Sequence, residues 1–170
     1  MDEIVNKVQE SGLIQLDLET FKSKVEIVEI DLASQLWQGL VLKEKDFRNW
    51  IKTHDWTQYE QKAVYVHCTA DAIVPTWAFM LVGLQLEGTA LKSIIGNKTD
   101  LACALIADQI FALDITPYQD AKLIIKGCSE IEAPEFAMTI LVQRLKNVAK
   151  SIMYGEPCST VPLYKRKIES

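Results

Sequence analysis

The 170-residue chain has no C-x-x-C pair, no G-x-G-x-x-G, no G-x-x-x-x-G-K and no apolar run long enough for a membrane span. Without paired cysteines it lacks the strongest sequence mark of a zinc or redox site. Its seven glycines are scattered, so no loop is built to cradle a phosphate. The longest apolar run, residues 72–84, is interrupted by Pro75 and Thr76 and is too short to cross a bilayer. Basic residues are the minority charge, 18 against 23 acidic, and the net charge of −5 argues against a general nucleic-acid binder. The one basic cluster, Lys165-Arg166-Lys167, reads as a solvated tail. The start, Met1-Asp2-Glu3, lacks the positive region of a signal peptide. A cytoplasmic protein with no nucleic-acid or membrane partner is expected, its four cysteines being thiols or metal ligands rather than disulfides.

What the chain does have is apolar residues enough for a core. At 49% hydrophobic, residues 1–170 are long enough to form one domain without disulfide support. The sequence is organised around residues 64–78, an apolar run ending in Cys68, then a short polar loop, then Pro75 opening a second apolar run. Proline suits a first helical turn and disfavours a strand interior, so this stretch predicts a buried strand, a loop and a helix. The same pattern returns at 123–137, where Cys128 closes the strand and Pro134 opens the helix.

Residues 4–10 read as a short helix ended by Ser11-Gly12, and Leu13, Ile14, Leu16 and Leu18 as an extended segment. Residues 25–30 alternate as a half-exposed strand. Asp31 is a good N-cap for a short helix through Trp37, with Gly39 as its stop. Residues 1–39 therefore predict an N-terminal antiparallel addition plus one helix. From Leu40 onward, strands are expected at 40–42, 62–68, 91–95, 122–128 and 150–154, with helices at 45–54, 75–87, 99–113 and 134–148. The expected fold class is α/β, a mostly parallel sheet of roughly five strands joined by right-handed crossovers.

Two copies of a βαβ unit are expected, at 40–96 and 97–156, followed by a tail at 157–170. Tyr59 and Tyr118, Cys68 and Cys128, Pro75 and Pro134, and Ala78 and Ala137 recur at nearly one spacing. Lys92-Ser93-Ile94 returns as Lys150-Ser151-Ile152, each closely followed by a glycine. The helix at 75–86 is apolar almost all round, so it predicts cover on both sides, from the N-terminal addition or from a second copy in a homodimer.

Ligands of parallel sheets bind at the carboxyl ends of the strands. Cys68 and Cys128 close two strands, and Cys158 leaves by the same edge in a tail that Pro157 and Pro162 keep extended. Three thiols at one edge fit zinc or iron, alone or as an iron–sulfur cluster. The plainer reading is that cysteine serves as a small buried hydrophobe, and Cys103, mid-helix among alanines, is packing. His67 neighbours Cys68, and adjacent strand residues point to opposite faces, so it is a structural histidine or a fourth ligand. His54 suits a helix C-terminus, where the dipole favours a cation. Asp71 and Glu130 each precede a proline-led helix and read as caps or solvated charges. A facing helix N-terminus also lowers a thiol's pKa, which leaves a thiol enzyme using Cys68 or Cys158 as one alternative. An interaction module with buried thiols is the other.

Glu44-Lys45-Asp46-Phe47-Arg48, the stretch from His67 to Ala78 and the stretch from Ser151 to Tyr164 together resemble an uncharacterised bacterial family, a domain of unknown function numbered 2480, found mainly in Bacteroidetes. The resemblance covers nearly the whole chain and brings no established activity. It implies gene neighbourhoods near iron–sulfur assembly, and hence iron–sulfur assembly proteins as partners. The resulting expectation is an accessory protein of metal or iron–sulfur handling, with Cys68, Cys128 and Cys158 as ligands and His67 beside them. Metal analysis of protein purified without oxygen tests it. Wild type should carry zinc or iron and Cys158→Ser should lose it; a metal-free wild type ends the expectation.

Overall fold

The computed structural model describes residues 12–127 and 130–167. Among them, strands and helices alternate in the order β1 (Leu13–Asp17), β2 (Ile27–Asp31), α1 (Glu44–Thr53), β3 (Ala63–His67), α2 (Thr76–Leu86), β4 (Lys92–Ile95), α3 (Lys98–Ala112), β5 (Lys122–Lys126), α4 (Pro134–Leu145), β6 (Ser151–Glu156) and β7 (Ser159–Lys165). The chain forms two compact units. Lys24–Leu105 makes one, inserted into a second that is split between Met1–Ser23 and Ile106–Ser170.

The inserted unit holds a three-stranded, all-parallel sheet in the order β2-β3-β4. Its core follows from two periodicities. Alternation along β3 sends Val64 and Val66 to one face, and α2 places Ala78, Val82 and Leu86 on one stripe at helical spacing. Helix α1 adds Phe47 and Ile51, its charged residues turned outward. The split unit has a core of its own. Leu123 and Ile125 of β5 meet Ala137, Leu141 and Leu145 of α4, and the sheet order is β1-β5-β6-β7. Only its last pair, β6 with β7, is antiparallel.

The units share details at a constant spacing of 59 residues. Asp55 accepts from the Thr57 amide at 3.0 Å and Asp114 from the Thr116 amide at 2.9 Å, each opening a 3-10 turn that ends in a tyrosine. Gln61 and Asp120 both have positive φ, 61° and 57°. The amides of Leu91 and Lys150 donate to the carbonyls of Lys62 and Ala121, at 2.9 and 2.8 Å. The strands β1 and β2 also end alike. Asp17 and Asp31 each accept from the amide two residues on at 2.9 Å, while Thr20 and Ser34 donate back to their carbonyls.

Mixed α/β architecture with parallel sheets is as expected, but the strands fall into two sheets rather than one. The N-terminal strands are also parallel, not an antiparallel addition: β1 pairs with β5 and β2 with β3. The reason is apolar. Leu16, Leu18 and Phe21 join one core, and Ile30 and Leu32 the other, so each small sheet gains its own third strand. Residues 40–42 form no strand. Gln38 and Gly39 take positive φ, and Val41 folds back into an isolated bridge with Trp37. Asp31 caps a 3-10 turn, Leu32–Gln35, shorter than the helix expected there. The tail is a hairpin strand, and Lys165-Arg166-Lys167 is no free tail: Arg166 pairs with Asp120 and donates to the Val148 carbonyl at 2.8 Å. Pro162 is tolerated because β7 is an edge strand with a register shift there. The helix expected at 4–10 lies outside the described residues.

Leu141→Ala, at a fully buried position of α4, should lower stability by about 2–5 kcal/mol in urea unfolding. Leu84→Ala, on the exposed side of α2, should change it by less than about 0.5 kcal/mol.

Candidate functional site

Each unit carries an apolar groove in the same place, between its crossover helix and the strand that follows. In the inserted unit, Val66, Thr76, Phe79, Met80, Gly83 and Ile95 line a cavity of about 430 Å³. In the split unit, Ile125, Glu135, Met138, Thr139, Val142 and Tyr154 line one of about 410 Å³. These six positions correspond one to one at the spacing already described. The split-unit groove has one further wall, Leu163 of β7, and among the described residues β7 has no counterpart in the inserted unit's sheet. Around it Phe136, Tyr154, Val161 and Leu163 are exposed.

A second feature is the carboxyl end of the inserted sheet. Asp31 and His67 are partners in register, as are Glu29 and Tyr65. One Asp31 oxygen accepts from the amides of Ala33 and Thr69, and the other from the Thr69 hydroxyl at 2.5 Å. Burial would raise this carboxyl, but the Thr69 hydroxyl, the two amides and the nearby His67 outweigh it and hold it below the usual range. His67 Nε2 donates to Glu29 at 2.5 Å, so that nitrogen is occupied. The Tyr65 hydroxyl, bonded to the same carboxylate, is pushed up by burial and then by the Glu29 charge. The cluster is thus satisfied internally, and it joins the ends of β2 and β3.

Of the expected ligands, His67 ends β3 and half-buried Cys68 follows it, the thiol donating to the Ala70 carbonyl at 3.8 Å. Cys158 is exposed in the β6–β7 turn of the split unit. Cys128 lies outside the described residues. Among the described residues, no three or more His, Cys, Asp or Glu side chains are grouped so as to hold a metal ion. Counting in register also shifts the match between the units: Cys68 corresponds to Gly127, one residue before Cys128.

A family model described as a protein of unknown function (DUF2480) matches residues 2–166. The chain belongs to that family. No curated protein and no solved structure matches it. In this DUF2480 chain no described helix is long and apolar enough to cross a membrane.

His54 of the DUF2480 chain departs from its expected role. It does cap α1, its amide bonded to the Trp50 carbonyl at 2.9 Å. Its ring, however, is stacked on Tyr59 and flanked by Trp50 and Trp56 at steeper angles, and Nε2 meets the Tyr59 hydroxyl at 2.9 Å. Burial lowers its pKa despite the opposing Asp55 charge, so the neutral ring is favoured. Sequence reasoning missed Glu29, Asp31, Tyr65 and Thr69 as one cluster, and missed both grooves. The paired Asp-x-Thr turns at 55–57 and 114–116 were the available signal for the register that reveals them.

Two pH effects follow. A depressed histidine pKa gives stability that is complete above about pH 6.5 and lost as pH falls through the folded value. Tryptophan fluorescence should therefore titrate with a midpoint below the usual histidine value, and His54→Gln should abolish that transition. Asp31, Asp55, Asp114 and Asp120 are all held low, so their contribution is complete above about pH 4 and lost on further acidification.

Proposed function

We propose that the protein is an interaction module, built from two copies of one strand–helix–strand unit, that takes an apolar segment of a partner protein in the groove between α4 and the β6–β7 hairpin. The observation that carries the reading is the groove itself, formed twice from equivalent positions. The two-copy part is supported by the matching Asp–Thr turns, positive-φ residues and backbone hydrogen bonds at one spacing. The groove's polar surroundings are slight, with Glu135, Thr139 and Gln143 at its rim and Met138, Val142 and Leu163 as its walls. Methionine adapts to varied apolar partners, and exposed apolar surface gathered at a groove is the usual mark of a docking site. The polar cluster at the inserted sheet's carboxyl end has its acceptors filled, which suits a structural clasp.

Peptides selected by display on the whole protein test this. They should shift the methyl resonances of Met138, Val142 and Leu163 and lose at least roughly tenfold affinity, about 1.4 kcal/mol, for Val142→Glu. Selected peptides that leave those methyls unmoved and bind Val142→Glu equally well would overturn the reading. Stoichiometric zinc or iron that disappears in Cys158→Ser would favour thiolate metal handling instead.

A further inference from the structure

The free side of β4 is built to receive a strand, and the two units together say which. Among the described residues, β4 has a hydrogen-bonded neighbour on one side only, β3. Its counterpart β6 has neighbours on both sides, β5 and β7. The consequence is visible in the grooves. In the split unit, β7 runs antiparallel along β6 and lays Leu163 against the groove. In the inserted unit, the same groove ends at β4, where Leu91 and Ile95 are 58% and 54% exposed and Met80 of α2 is 63% exposed.

We infer that a second copy of this chain occupies that edge, with the two β4 strands pairing antiparallel across a two-fold axis centred on Ile94. This rests on the two-copy reading of the chain, and it uses residues separate from the α4 groove. Three features fix the pairing. The Gly96 amide donates to the Val66 carbonyl of β3 at 3.0 Å, so by alternation the amides of Ser93 and Ile95 are directed outward, and Ser93 can exchange both backbone bonds with Ile95 of the partner subunit. Centring on Ile94 then sets Ser93 opposite Ile95 of the partner subunit. By their register with Val64 and Val66, both belong to the face that α2 covers.

Ile95 of the partner subunit thereby reaches the place that Leu163 takes in the split unit. There Leu163 lies on β7 between Pro162 and Tyr164, beside Ile152, and Ile152 is the residue equivalent to Ser93. Each copy fills the other's groove, as an isologous interface requires. Lys92 falls opposite Gly96, so no like charges are opposed. No partner strand of different sequence is needed, because β4 is complementary to itself in this register.

Sedimentation velocity of the full chain over a micromolar concentration series tests the inference. Wild type should have the mass of two chains and dissociate toward one on dilution. Ile95→Glu, at an exposed position, and Ser93→Pro, which removes an outward amide without touching β3, should each give one chain with an unchanged circular dichroism spectrum. Val142→Glu, in the other groove, should leave the dimer intact. Hydrogen exchange supplies a readout on wild type alone: the Ile95 amide should exchange more slowly at high protein concentration. A wild type that stays one chain at its solubility limit would overturn the inference. So would a dimer that survives both β4 substitutions, or an Ile95 amide whose exchange ignores concentration.

Discussion

The structure depends on how closely a helix can approach a very small parallel sheet. With only three parallel strands to cover, each core relies on one crossover helix for its main contact. Helix α1 adds Phe47 and Ile51 in the inserted unit, and α3 adds Ile106 and Ile110 in the split one. Ala78 and Ala137 open the contact stripe in their helices because a small side chain lets the helix axis come near. Val82 with Leu86, and Leu141 with Leu145, then fill the space against the strand valines, leucine and isoleucines. Fully burying each such branched side chain contributes about 1.5–3 kcal/mol, so these few residues supply much of the driving force in each unit. The sheet faces, the caps and the grooves are all placed by that docking.

The helices were readable because proline and apolar periodicity mark them strongly. The predicted spans of the helices beginning near Lys45, Pro75, Thr99 and Pro134 each overlap the observed ones closely. Strand partners were not readable. Leu13 through Leu18 and Val25 through Ile30 announce extended chain, but nothing local says that Leu16 aligns with Ile125 or Ile30 with Val66. Pairing is decided by which apolar face completes which core, a tertiary quantity that propensity does not contain. The hairpin of β7 was hidden for a related reason: Pro162 argues against a strand except at an edge, and only the structure says that this is one.

The candidate site shows the same division. Cysteines draw attention in a sequence because their chemistry is specific, whereas a groove walled by Met138, Val142 and Leu163 is spelled in residues that look like ordinary core. The polar cluster was equally hidden, since Glu29 and His67 are 38 positions apart and meet only through strand register. His54 inverts the expectation in an instructive way. A histidine at a helix C-terminus is favoured as a cation by the dipole, yet three aromatic rings around it make desolvation the larger effect.

The insertion of one unit within the other has a consequence for how the chain is made. Residues of the inserted unit find their partners soon after leaving the ribosome, because β2, β3 and β4 are complete once Ile95 has emerged. The strand β1 is synthesised first and satisfied last: Leu13 must wait for Lys122, about 110 positions later, before its sheet exists. During that interval an apolar edge strand already made has no native partner, a condition that invites chaperone engagement or mispairing. Translation speed between residues 96 and 126 thus acts directly on the length of time β1 stays exposed.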